Sequence, residues 1–458
     1  MLVKNGFVAS ESGMIKADIR LSGEIISEIS ADGAKLAALE GENIIDAEGM
    51  IILPGGVDMH THMDLDLGHI RATDDFYTGT VAAACGGITT IVDHMAFGPR
   101  GNSIRQQVDE YHRLAEGKAV VDYGFHGVVD HVNDAVLAEI KDLAGEGVTS
   151  HKFYLTYDRK LSDKEILRLM DFTSDRGILL AVHAENDTLI SYLREKFIKE
   201  GNTAPVYHAR SRPPESETEA VSRMIKFAAV TGDAPLYIVH ISCGSSVEII
   251  RAARLGGQKN IFAETCPQYL FLDESLYLAE DGLKYIMSPP LRGEKERKSL
   301  WDGLICGDID TIGTDHCPFF YNREKQLGKD DFTKTPGGAP GVEANLSLMF
   351  YQYIIGRLPI GEIVRLCCAE PARLSGIYPK KGLIAVGSDA DLTIMHSDKT
   401  RVLTHSMFHE NTDYTPYEGK LAAECPVMTI SRGEIIAQEG SFLGKKGRGR
   451  FLKRGFFT

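Results

Sequence analysis

The sequence predicts an α/β protein: a (β/α)8 TIM-like barrel with a small β-sandwich domain built from both chain ends. Three observations support this. Short, nearly continuous apolar runs alternate with helical stretches through the middle of the chain. Apolar and polar residues alternate at both ends. Several of the middle runs finish on a polar side chain.

The opening, LVKNGFVASESGMIKADIRLSGEIISEIS, alternates in short runs broken by glycine, the texture of an antiparallel sheet. That texture returns in GLIAVGSDADLTIMHSD and PVMTISRGEIIAQEG. Neither portion holds enough apolar material for a core of its own. Residues 1–53 and 377–440 are therefore expected to meet in one small domain, with a barrel over 54–376 between them. Residues 441–458 form a basic tail, expected to pack on the body or on another subunit.

The middle runs are GVDMHTH, TTIVDH, AVVDYGFHG, TSHKFYLT, GILLAVHAE, PLYIVHIS, NIFAETCP and DIDTIGTDH. Between them lie stretches of helical character such as SDKEILRLMDFTSDRG and ETEAVSRMIKFAAVTG. Strands read as apolar runs when helices cover a parallel sheet, and this alternation suits a closed barrel better than an open sheet. Neither GxGxxG nor GxxxxGK[ST] follows a strand, which weakens nucleotide-binding readings.

In a barrel the C-terminal strand ends converge on one mouth. His60 and His62 end the first run, Lys152 lies in the fourth, and His183 and His240 end the fifth and sixth. Asp315 ends the eighth. Residues two apart on a strand face the same way, so His60 and His62 can point inward together. Imidazole and carboxylate suit zinc or another transition metal. The bland alternative is a set of separate polar residues satisfied locally, which is costly in a crowded barrel mouth.

Lys152 leaves three readings open. A buried ammonium in TSHKFYLT is expensive unless a carboxylate pairs with it. A neutral lysine is a nucleophile. A lysine carbamate formed with CO2 supplies an anionic oxygen ligand able to bridge two cations.

Taken together, PGGVDMHTH, DDFYTGTVAAACGG, FYLTY, VHAEND, SPPLR and GTDHCP resemble the cyclic-amidase branch of the amidohydrolase superfamily, the hydantoinases and dihydropyrimidinases. The resemblance covers essentially the whole chain and is strongest to bacterial D-phenylhydantoinases. It implies two divalent metal ions, most simply zinc, with His60 and His62 on the more buried ion and His183 and His240 on the other. Carboxylated Lys152 (N6-carboxylysine) would bridge them and Asp315 would complete the ligand set of the first, more buried ion. It also implies a homotetramer or dimer of dimers.

The activity implied is hydrolytic ring opening of D-5-monosubstituted, aryl-bearing hydantoins to N-carbamoyl-D-amino acids by a binuclear metal-bound hydroxide. Asp315 would carry the proton from water to the leaving nitrogen. Tyr157 would donate to the oxyanion, with a rim aromatic as its alternative. Ser288 in MSPPLR, otherwise a turn residue, would contact the ring amide. Where many relatives read PNG, this chain reads Pro336-Gly337-Gly338, so recognition at Gly337 falls to backbone or water. Met63, Leu65, Leu67, Ile70, Phe153 and Tyr157 are either an apolar wall for a ring substituent or ordinary packing.

Dihydropyrimidinase, acting on dihydrouracil or dihydrothymine, is the main alternative; allantoinase and a non-catalytic scaffold follow. Dihydroorotases commonly continue HxHxR, but Asp64 holds the arginine position here.

Bulk properties narrow the partners. No run of about 18 apolar residues occurs, so no membrane span is expected. The amino terminus turns polar too soon for a secretory signal. Eight cysteines without a CxxC pattern suit a reducing, cytoplasmic setting. A formal charge of -14 argues against nucleic acid. The partner expected is a small cyclic amide or ureide.

Overall fold

The computed structural model describes residues 1–31 and 35–457. Residues 32–34, inside the expected small domain, and Thr458, the end of the expected tail, lie outside the described residues.

Eight parallel strands form the barrel: Gly56–Thr61, Ile88–His94, Asp122–Val128, Ser150–Tyr154, Leu179–His183, Leu236–Ile238, Ile261–Thr265 and Thr311–Ile312. They pair in chain order, with Ala181 opposite Lys152 and Leu180 opposite Leu236. A parallel bridge between Thr61 and His316 brings the last strand back to the first, and the His62 amide donates to the His316 carbonyl at 2.9 Å. Every residue of the first, second, third and fifth strands is buried, as expected for a sheet covered on both faces.

The covering helices follow local chemistry. Asp163–Thr173 starts at a capping box in which Ser162 and Glu165 satisfy each other's backbone N–H groups, and it buries Ile166, Leu169 and Met170. Pro214–Val230 opens with proline in its first turn and acidic Glu215 and Glu217, both favourable at a helix N-terminus.

Two strands are shorter than the apolar runs suggest. The sixth ends at Ile238 and the eighth at Ile312, so His240 and Asp315 stand beyond the ladder rather than ending it. Both take left-handed backbone, at φ 43° and 53°. For a residue with a Cβ this costs on the order of 1–2 kcal/mol, and the surrounding fold must hold it.

Both chain ends build a nine-stranded, mostly antiparallel sheet. Strands between Leu2 and Pro54 pair with Leu392–His396, Met428–Ser431 and Glu434–Gln438, and Ser441–Phe442 extends the sheet into the first residues of the tail. Ile19, Leu21, Ile26, Ile52, Leu392 and Ile430, drawn from both ends, share one apolar core. Buried Lys381 joins this sheet to the barrel, reaching Asp122 and Asp391 at 2.7 Å each.

Beyond the sheet, the tail runs along the barrel. Phe451 bridges to Tyr123, and Arg450 pairs with Glu24 at 2.7 Å. The buried Arg454 guanidinium donates to the Phe125 carbonyl and, at 2.8 Å, to Ser150 Oγ. Among the described residues, no helix is long and apolar enough to cross a membrane.

Candidate active site

The mouth of the barrel holds a cavity of about 1110 Å³. His62, Lys152, Tyr157, His183, His240 and Asp315 all line it, as do Ser288 and Gly337. His60 lies beneath, fully buried. The fold therefore gathers the six candidate ligands, Tyr157, Ser288 and Gly337 into one place.

His60 Nε2 and His62 Nε2 approach the same Asp315 oxygen, at 3.1 and 3.0 Å. These three residues place their ligand atoms within 4.8 Å of one another, a grouping that could hold a metal ion. Lys152 Nζ lies 2.9 Å from His60 Nε2. The rings of His183 and His240 are 4.5 Å apart, and His240 is 5.4 Å from His60.

The donors fit divalent cations. Both ring nitrogens of His240 and Nδ1 of His62 are buried with no hydrogen-bond partner among the described residues, a costly arrangement unless something binds there. Burial holds His62 down to about 4, and burial with neighbouring His183 holds His240 well below its ordinary value. Both imidazoles are thus neutral at pH 7, as ligation requires. His60 stands higher, at about 8: burial and Lys152 press it down, while the Glu264 and Asp315 carboxylates outweigh them. Burial also lowers the Lys152 ammonium, against the pull of Asp315 and Glu264.

Several contributors were not read from the sequence. Glu264, in NIFAETCP, accepts from His60 Nδ1 at 2.5 Å and leaves Nε2 free to face the site. Glu185, two residues after His183, lies 2.7 Å from His183 Nε2 and is anchored by Arg212. Such carboxylates orient an imidazole and fix its tautomer. The signal for Glu264 was an acid inside an apolar barrel run; for Glu185 it was the i+2 spacing from a candidate ligand. His94 packs against His60 at 4.5 Å with neither nitrogen partnered among the described residues.

Tyr157 is 40% exposed and takes left-handed backbone, at φ 70°. Its phenol pairs with the Ser288 side chain, and the Arg212 guanidinium lies 5.6 Å from its ring centre. An added Cβ on Gly337 would stand 3.5 Å from Ser288 Oγ, so these two segments touch.

The apolar wall differs from the six residues considered above. Leu65, Leu67 and Tyr157 line the cavity, joined by Met95, Phe97 and Phe332. Met63 and Phe153 are wholly buried in the core, and Ile70 packs with Ala72, Cys317 and Phe319. Phe153 follows Lys152 on one strand and so faces the other way, whereas Met63 and Ile70 lie beyond the end of the first strand, in turn and loop. Asp64 turns to the Phe76 amide at 3.1 Å and to Arg71 at 3.6 Å.

Comparison with known proteins identifies the family. The model of the amidohydrolase family matches residues 51–436. A D-phenylhydantoinase of Escherichia coli O1:K1 / APEC is 47% identical over 99% of this chain and 98% of its own length. The solved D-hydantoinase from Bacillus sp. AR9 superposes with a TM-score of 0.96 at 40% identity, covering 100% of this chain and 99% of that one. A dihydropyrimidinase from Brevibacillus agri NCHU1002 gives 0.96 at 39% identity over the same shares. The chain belongs to the amidohydrolase family and, within it, to the branch of hydantoinases and dihydropyrimidinases.

Proposed function

We propose that this cyclic amide hydrolase opens D-5-monosubstituted hydantoins with aryl substituents to N-carbamoyl-D-amino acids. One observation carries the reading: the His-Lys-Asp cluster faces a cavity walled by Leu65, Leu67, Met95, Phe97 and Phe332. The 47% identity to a D-phenylhydantoinase supports it.

His60, His62, His183, His240, Asp315 and Lys152 would hold a pair of divalent ions, most simply zinc. When bound, such a pair polarises a carbonyl and lowers the pKa of water. Lys152 would join the set as a carbamate: its neutral Nζ forms a bond to the carbon of CO2 and releases one proton, leaving an anionic carboxylate. Burial, which lowers the lysine pKa, favours the neutral amine that this step needs.

The remaining work belongs to the chain. Ser288 and the backbone at Gly337 orient the ring amide. As water adds to the ring carbonyl, Asp315 accepts its proton and Tyr157 donates a hydrogen bond to the developing oxyanion. Asp315 then returns the proton to the imide nitrogen as the C–N bond breaks. Water is consumed, and one carboxyl group, which then releases its proton to solvent, and one ureido group form.

A homotetramer or dimer of dimers is part of this proposal, by likeness to the family. So is a cytoplasmic setting, supported by eight free thiols. Dihydropyrimidinase activity is the second reading, favoured by the likeness to the Brevibacillus agri enzyme.

The deciding experiment follows D- and L-5-phenylhydantoin, dihydrouracil and allantoin with zinc-loaded protein, identifying products by mass. Formation of N-carbamoyl-D-phenylglycine is the expected result. Preference for dihydrouracil would move the assignment to dihydropyrimidinase, and four closed rings would overturn the reading.

A further inference from the structure

Lys325 has no part in the chemistry above, yet it is completely buried, at 0% exposure. It has no carboxylate partner among the described residues, and burial pulls its pKa down, which the three bonds to carbonyls oppose by favouring the charged form. A lone buried ammonium is costly unless each of its donors is used. All three are used here: Nζ donates to the carbonyls of Ile286 at 2.7 Å, Pro336 at 2.8 Å and Gly338 at 2.6 Å.

Those three carbonyls belong to two separate segments. Ile286 lies two residues before Ser288, while Pro336 and Gly338 flank Gly337 on either side. The Gly338 amide also donates to the Ile286 carbonyl, at 3.1 Å, so both segments meet at one oxygen. Close approach requires glycine there: at φ 144°, a Cβ on Gly338 would lie 2.4 Å from the Cys317 carbonyl oxygen. Three converging carbonyl dipoles repel one another, and a single cation between them offsets that repulsion.

We propose that Lys325 is a positioning residue for amide recognition, pinning the segments that carry Ser288 and Gly337 into a single wall. This rests on the cyclic-amide reading of the site. The departure from asparagine at Gly337 makes such a tie more consequential, because recognition there depends on where the backbone stands. Glutamine offers two donors and no charge, so it cannot hold all three carbonyls.

The test is a double-mutant cycle in the metal-loaded enzyme, using whichever ring the wild type opens fastest. Lys325→Gln should raise KM about tenfold, the effect of losing one to two net hydrogen bonds, with kcat and metal content little changed. Combined with Ser288→Ala, its effect should shrink markedly, since coupled sites are not additive. Additive losses, or a fall in kcat at constant KM, would overturn the proposal. Should the glutamine variant fail to fold, Lys325→Met, which removes every donor at similar volume, carries the same cycle. A second arm needs no turnover. Amide exchange over 286–288 and 336–338 should speed up in the variant while exchange elsewhere stays constant, and a uniform increase would count against the tie. If the wild type opens no ring, the activity assignment falls, and the exchange arm alone judges Lys325.

Discussion

Glu264 Oε1 sits 2.5 Å from His60 Nδ1, at the end of the seventh barrel strand and wholly buried. The same oxygen accepts the His240 amide at 2.9 Å, so one carboxylate braces two candidate ligands. Its other oxygen accepts from the Tyr237 hydroxyl. Glu264→Gln should therefore lower metal affinity by about 10–100-fold while the protein stays folded. Competition with a chelator measures this; unchanged metal retention would remove Glu264 from that role.

Tyr157→Phe removes only the phenolic oxygen, from a half-exposed ring at the cavity mouth. Turnover should fall by about 10²–10³-fold with metal content intact, the scale of losing one oxyanion donor. A rate within a few-fold of wild type would make Tyr157 a rim aromatic.

The carbamate on Lys152 has a spectroscopic consequence. Protein reconstituted with divalent metal in ¹³C-labelled bicarbonate should show a carbamate carbon signal, absent from Lys152→Met. The same variant should lose metal, because an apolar side chain replaces an anionic ligand in a site built of imidazoles. A wild-type spectrum without that signal would return Lys152 to its other readings.

Acid should loosen the join between barrel and terminal sheet. Burial pushes Asp122 up, but Lys381 and Arg432 outweigh it and hold its pKa below the ordinary value. A depressed carboxylate stabilises the fold above its unfolded pKa of about 3.9, and that contribution disappears as pH falls through the lower folded value. Denaturant melts should thus show stability dropping below about pH 4, with a shallower drop in Asp122→Asn. Lys381→Met leaves Asp122, Asp389 and Asp391 without their shared cation and should cost about 3–5 kcal/mol at neutral pH. Equal stability of that variant and wild type would show the pairs to be dispensable.

The sequence by itself determined the barrel, the joining of both ends in one sheet, and the six candidate ligands. Each rests on a local pattern: apolar runs with helical spacers, period-two alternation, and polar residues where a strand must end. His60 and His62 were legible because strand geometry relates neighbours two apart. Tertiary structure decided what local pattern cannot encode. Glu264 reaches His60 across 204 positions, and Lys325 collects carbonyls from segments 39 and 11–13 residues away. His240 and Asp315 depart from their strands because backbone dihedrals, not residue type, set their direction. The cavity wall was likewise decided in three dimensions: Phe97 and Phe332, from segments outside the barrel strands, line it while Met63 and Phe153 are buried in the core, since loop paths over the barrel mouth set a side chain's neighbours.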